Sequence, residues 1–167
     1  MQIEILLMLL LSTHKFAPMN PVRKCMPHQI PSWVPEGSKY FITINCQHRG
    51  MDQLCRNEIS SELLHSIPVY EAARKWHVYA CMIMPDHLHL IAAFSKTYGI
   101  RSVISSWKSY QARHLNIKWQ YNYFEHRLRN EAEFTEKMHY VLMNPVRKAL
   151  VDDWRKWPHK FARGVSV

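Results

Sequence analysis

Cysteine is scarce here and badly placed for a framework. Cys25, Cys46, Cys55 and Cys81 include no C-x-x-C pair, and their spacings match neither a zinc module nor a disulfide scaffold. They read as reduced thiols filling small core positions in a cytoplasmic protein. A membrane span is also missing. The apolar run Ile5-Leu6-Leu7-Met8-Leu9-Leu10-Leu11 is too short to cross a bilayer. No basic residue precedes it and no small-residue cleavage site follows, so it does not read as a secretory signal. With Met19 and Met26 downstream, it reads as an extension or peripheral segment outside the functional domain. Internal repeats and low-complexity tracts are absent, which excludes solenoids and compositionally biased linkers. Acidic residues are few: 13 Asp and Glu stand against 22 Lys and Arg, for a net charge of +9.

What is present suits one globular domain. The chain has 167 residues, 47% of them hydrophobic and 21% charged, enough to bury a core without disulfides. The positive excess is uneven. Residues 1–100 carry 9 basic and 7 acidic residues, net +2, whereas residues 101–167 carry 13 and 6, net +7. Trp and Tyr are interleaved with the basic residues of that second half. Such a surface suits a polyanion with unstacked bases, and equally a merely soluble basic protein.

Proline organises the start. Pro18, Pro21, Pro27, Pro31 and Pro35 make residues 1–38 an irregular extension. Tyr40-Phe41-Ile42-Thr43-Ile44-Asn45 is a strand by its β-branched and aromatic content. Ile59, Leu63, Ile67 and Tyr70 recur at helical spacing over residues 57–75, with Pro68 expected to kink or split that helix. Residues 76–84 and 87–94 read as an antiparallel hairpin turned by Pro85-Asp86. A second helix spans 101–116, with Ile100, Ile104, Trp107, Gln111 and Leu115 as its inner stripe. A further strand is expected within 119–129. Asn130 and Glu133 mark the start of a third helix ending near Met143, and a short helix is expected before Trp154. The order predicts an α+β fold, an antiparallel four- to five-stranded sheet with helices packed on one face, of ferredoxin-like or palm-like type. The domain is expected over 39–151, with a basic C-terminal tail at 152–167.

Within Met84-Pro85-Asp86-His87-Leu88-His89-Leu90, the two histidines are one residue apart on a strand. Alternation puts both rings on one face and Leu88 and Leu90 on the other. Two neighbouring imidazoles can grip one cation while leaving positions open for substrate. They can equally be two histidines on a solvated strand face. Asp86 reads as a turn residue.

This segment resembles the HUH motif (His, hydrophobic, His) of single-tyrosine transposases of the IS200-like class. Tyr40–Asn45 is similar to that family's first strand. Trp119-Gln120 with Phe124-Glu125-His126-Arg127-Leu128-Arg129 is similar to its middle block, and Tyr140-Val141-Leu142-Met143-Asn144-Pro145-Val146-Arg147-Lys148 to its late tyrosine block. The last two point to the REP-associated tyrosine transposases. The likeness runs in order from about Lys39 to Val151.

The resemblance implies single-stranded DNA cleavage and rejoining with a divalent metal, Mg or Mn. A tyrosine attacks a phosphodiester, remains attached as a 5′-phosphotyrosine and frees a 3′-hydroxyl. Palindromic or hairpin-forming DNA is the implied partner, in the cytoplasm and at the nucleoid, with no membrane. Family members occur as homodimers, and this subgroup also as monomers.

Two tyrosines compete for the nucleophile. On a helical wheel Phe134, Met138, Val141 and Leu142 form the buried stripe of the third helix, and Tyr140 falls off it beside Glu133, Lys137 and Asn144. The family pattern also puts the nucleophile at Tyr140 with a polar ligand four residues on, which makes Asn144 the third metal ligand after His87 and His89. Asn144-Pro145 also fits a helix start. Tyr110, on the border of its helix's stripe, reads as a packing or DNA-contact residue and is the alternative nucleophile. His126 is a base, ligand, phosphate contact or structural histidine. Lys137 shares the Tyr140 face and is placed to stabilise phenolate or phosphate. Lys108, Arg113, Arg127, Arg129, Arg147 and Lys148 are the phosphate-contact candidates. Two rival functions stand beside the enzyme: a module that binds a hairpin or single strand without cutting it, and a zinc hydrolase needing a third strong ligand near the histidine pair.

Overall fold

The computed structural model describes residues 30–164. The apolar run at 5–11, Cys25 and the first three prolines lie outside the described residues. Five strands and four helices follow in order: β1 (Lys39–Asn45), α1 (Asn57–Ala72), β2 (Trp76–Met84), β3 (His87–Phe94), α2 (Ile100–Leu115), β4 (Phe124–Leu128), α3 (Glu131–Leu142), α4 (Asn144–Arg147) and β5 (Lys160–Ala162). They form the expected α+β fold. The sheet is five-stranded and antiparallel, in the order β4-β1-β3-β2-β5. Among the described residues, no helix is long and apolar enough to cross a membrane.

Side-chain alternation divides the molecule into two layers. Tyr40, Ile42 and Ile44 of β1 and Leu88, Leu90, Ala92 and Phe94 of β3 face one side. Leu63 and Ile67 of α1 and Ile100, Val103, Ile104 and Trp107 of α2 cover them there. Phe41 and Ile91 face the other side with Ala80, Met82 and Met84, and are covered by Val141 and Leu142 of α3 and by Trp157. The helices therefore do not share one face. The two long ones do, but α3 crosses to the second, because that face carries an apolar strip of its own that needs a partner. Each fully buried Ile or Leu is worth about 1.5–3 kcal/mol relative to exposure, so both layers hold the sheet.

Local chemistry agrees with these positions. The Asn130 side chain accepts a hydrogen bond from the Glu133 N–H at 2.8 Å, capping α3. Pro68, expected to kink or split α1, lies inside a helix that runs unbroken from Asn57 to Ala72. A β-bulge between Val78 and Ala80 shifts the register of β2. The segment read as a basic tail contains a 3-10 turn at Trp154–Lys156 and then β5, which pairs with β2. Trp157 donates its indole N–H to the Ile83 carbonyl at 2.9 Å, holding this segment to the hairpin that carries the histidines. Burial pushes the thiols of Cys46, Cys55 and Cys81 up to about 12, so these residues are inert packing, as expected.

Candidate active site

The β2–β3 hairpin builds the site. Its two-residue turn is tied down by the loop that follows β1. The Pro85 carbonyl accepts from the N–H groups of Gln53 and Leu54 at 2.8 and 3.0 Å, and the Asp86 carbonyl accepts from Cys46 at 2.9 Å. Beyond that anchored turn, His87 and His89 point to the α3 side and Leu88 and Leu90 to the α1/α2 side. The imidazole centroids are 4.8 Å apart, with the rings nearly perpendicular at 81°.

Each ring is held by its Nδ1. His87 Nδ1 lies 2.6 Å from Asp86 Oδ1, and His89 Nδ1 lies 2.9 Å from Thr43 Oγ1 across the β1–β3 pairing. A hydrogen bond at Nδ1 fixes the orientation of each ring, the arrangement in which an outer hydrogen bond orients a metal-binding histidine whose Nε2 would be the ligand atom. Asp86 is itself fixed, accepting from the Gly50 N–H at 2.7 Å and pairing with Arg49 Nε at 3.1 Å. Burial alone would raise its carboxyl. The Gly50 and His87 hydrogen bonds and the Arg49 charge outweigh burial and hold the carboxyl below the usual range. Neither Asp86 nor Thr43 was singled out from sequence as a functional residue. Asp86 precedes His87 directly and was legible only as a turn former. Thr43 needed the strand register.

Both imidazoles are neutral at neutral pH. Burial pushes His87 down, only partly opposed by Asp86. Burial, then the neighbouring His87, pushes His89 down to about 3. Neutral rings are the form that binds metal. Asn144 completes the corner. It is buried on α4, donates its amide N–H to the Tyr140 carbonyl at 2.8 Å, and its side chain is in hydrogen-bonding position to the His89 ring. Its side chain does not cap α4. Among the described residues no group of three or more His, Cys, Asp or Glu could hold a metal. Two imidazoles and one amide are the groups here that could hold a cation, a set that would leave positions open and lacks the further strong ligands of a structural zinc site.

Tyr140 lies against this corner. Its ring centroid is 5.6 Å from His89 and 5.8 Å from Phe41, whose own ring stacks on His89 at 5.5 Å. The helical wheel set Tyr140 apart from the buried stripe. In the structure it is half-buried at the seam between α3 and the sheet, because α3 covers the histidine face. Arg147 sits over its ring at 5.0 Å and Lys137 at 5.5 Å.

The other candidates divide by position. Lys148 is close enough for its charge to act on His87. His126 shares the site face, paired across β4–β1 with Phe41, and turns toward Glu133 at 3.7 Å. Arg129 directly follows that strand, its N–H donating to Glu133. Four candidates are not brought to the site. Tyr110 and Arg113 are exposed on α2, on the opposite side of the sheet, with Tyr110 stacked on His114 at 4.0 Å. Arg127 is paired with Tyr40 on that same side, over Trp33. Lys108, expected as a phosphate contact, is only 9% exposed, and its ammonium donates to the carbonyls of Gln120 and Tyr121 at 2.7 and 2.9 Å. It is a structural cation, because α2 turns that position toward the loop before β4.

The family model described as IS200-like transposase matches residues 37–152. A REP-associated tyrosine transposase of Escherichia coli (strain K12) is 26% identical over 137 residues, covering 78% of this chain and 81% of that one. A chain from Haemophilus influenzae (strain ATCC 51907 / DSM 11121 / KW20 / Rd) is 25% identical over 152 residues, covering 79% and 84%. A solved REP-associated tyrosine transposase bound to a REP hairpin shares the fold, with a TM-score of 0.64 at 24% identity over 79% of this chain and 81% of that one. The match spans β1 to α4 and takes in the histidine hairpin, the β4 block and the Tyr140 helix, so the chain belongs to the IS200-like transposase family.

Proposed function

We propose that this chain cleaves and rejoins single-stranded DNA through a covalent tyrosine intermediate, acting on palindromic or hairpin-forming sequence. The observation that carries the reading is the meeting of Tyr140 with the His87–His89–Asn144 corner on one face, the Tyr140 and His89 rings 5.6 Å apart. The REP hairpin bound by the structural relative supports the choice of DNA.

In this reading the Tyr140 phenol oxygen attacks the scissile phosphorus. A Tyr–O–P bond forms at the 5′ side, the P–O3′ bond breaks, the phenol proton is lost to solvent and the leaving 3′ oxygen gains one. Attack of a 3′-hydroxyl on the phosphotyrosine reverses this and rejoins DNA, conserving the bond energy. His87, His89 and Asn144 would hold a divalent cation such as Mg or Mn, which polarises the phosphoryl oxygen when bound. Lys137 and Arg147 flank the ring and counter the negative charge that develops on phenol and phosphate. Lys148 adds a phosphate contact beside His87.

The test is incubation with hairpin-bearing single-stranded DNA from around its own gene, with Mg or Mn, followed by denaturing electrophoresis. Wild type is expected to give a protein–DNA adduct. Tyr140→Phe should bind the same DNA and give none. Binding without an adduct in wild type would overturn the enzyme reading and leave a hairpin-binding module.

A further inference from the structure

Two large aromatic side chains stand exposed at the β4 edge of the sheet. Tyr121 is 88% exposed and Phe124 45%. Neither is loosely displayed. Lys108, from inside α2, donates to the carbonyls of Gln120 and Tyr121. The Gln120 N–H donates to the Asn45 carbonyl at 2.9 Å, the Gln47 N–H donates to Lys118 at 2.7 Å, and Trp119 bridges to Cys46. A buried ammonium thus fixes the backbone beneath an aromatic ring that touches almost nothing. Burying that cation is unfavourable, and an exposed aromatic adds nothing to the core. The arrangement makes sense if the ring has a partner outside the chain.

Its register points to the partner. Phe124 pairs with Thr43, and Thr43 pairs with His89, so the three lie in one row on the site face. Gln120 is bound at Asn45, which pairs with His87. Phe124 therefore stands at the level of His89, and Gln120, which precedes Tyr121, at the level of His87, two strand spacings away, about 10 Å. Phe124 is also the outer end of an aromatic run. Its ring lies 6.0 Å from Phe41, which in turn touches His89 and Tyr140. A strand whose phosphate sits at Tyr140 would reach this edge within a few nucleotides. The surrounding half of the chain carries net +7, which favours a polyanion over an apolar partner.

We propose that Tyr121 and Phe124 form a base-stacking platform for the single-stranded DNA that leads into the site. Lys108 is its positioning residue. Stacking accepts any base, so the platform holds the strand's path without reading its sequence, and its rigid presentation limits the entropy lost on binding. This inference rests on the nucleic-acid reading above but not on cleavage.

The test uses the full chain and single-stranded oligonucleotides carrying 2-aminopurine at one position at a time beside a hairpin. Wild type should quench the fluorescence at one or two positions. Phe124→Ala and Tyr121→Ala should each abolish quenching at one of them and weaken binding about 5- to 30-fold, with the melting temperature unchanged in Tyr121→Ala and lowered only slightly in Phe124→Ala, which loses its edge contact with Phe41. Phe124→Trp should restore both readouts, and Phe124→Leu, similar in bulk but unable to stack, should not. Unaltered quenching and affinity in both alanine variants would overturn the platform, even if adducts form normally. So would a dimer in sedimentation that both variants abolish without loss of DNA affinity, because the edge would then join two copies. Loss of quenching in the alanine variants, with no adduct from wild type, would uphold the platform while the cleavage reading fails.

Discussion

The two faces of the sheet are made by the same strands and do different work. Toward α1 and α2, β1 and β3 present Tyr40, Ile42, Ile44, Leu88, Leu90, Ala92 and Phe94, an apolar surface closed by two long helices. Toward α3 they present Phe41, Thr43, His87, His89 and Ile91, where polar groups are buried beside the apolar ones and each has a hydrogen-bond partner. A protein that must bury imidazoles needs a second, independent core, so that desolvating them does not endanger folding. The first face supplies it. Neighbours in sequence, such as His89 and Leu90, therefore belong to different functions.

That contrast can be broken one residue at a time. The largest effect is expected from this adjacent pair. His89→Ala should reduce adduct formation by 1,000-fold or more, on the order of a lost catalytic group, while urea unfolding moves less than it does for Leu90→Ala. Leu90→Ala should cost about 2–5 kcal/mol of stability. If His89→Ala proves the more destabilising, the division between the faces is wrong. Next comes Asp86→Asn. It removes the carboxylate that orients His87, and should raise the Mn concentration needed for half-maximal cleavage about 10- to 100-fold. Lys108→Met and Lys148→Ala then compare a cation on each side. Lys108→Met should cost about 1–3 kcal/mol of stability, because two part-buried carbonyls lose their donor. Lys148→Ala should leave melting unchanged and flatten the salt dependence of DNA affinity by about one counterion.

The smallest effect is in acid. The Asp86 carboxyl is lower in the folded chain than its ordinary value of 3.8. Its contribution to stability is therefore complete above that ordinary value and disappears as pH falls through the lower, folded one. The stability difference between wild type and Asp86→Asn, followed by chemical unfolding, should be constant at neutral pH and narrow only below pH 3.8.

Much of this was legible in the chain. The alternation His87-Leu88-His89-Leu90 announced a two-faced strand, Pro85-Asp86 announced its turn, and Asn130 with Glu133 announced the α3 start, because each signal is local. The meeting of Tyr140 with His89 rested on family likeness, since periodicity tells which side of α3 is apolar but not which face of the sheet it will cover. Thr43 and Phe124 were invisible as site neighbours for a related reason: their place depends on pairing between strands far apart in sequence. Lys108 misled because a lysine on a helix reads as solvated, and only the loop folded beneath it shows that its charge is enclosed. β5 was missed because three residues are too few for a strand pattern to emerge.

The bulge in β2 has a consequence for how this hairpin can change its length. Trp76 and Val78 face α1 and α2, whereas Tyr79 and Ala80, adjacent in sequence, both face α3. One residue is therefore surplus to the alternation. Remove it, and Val78 and Ala80 would still point to opposite faces, leaving everything from Cys81 through His89 in phase. An insertion or deletion of one residue between Cys81 and Met84 has no such refuge. It would carry leucines to the Tyr140 face and histidines into the core beneath α1 and α2. The hairpin is thus indifferent to length at Tyr79 and intolerant of it a few residues later, and natural or engineered variation in strand length should collect at that single position.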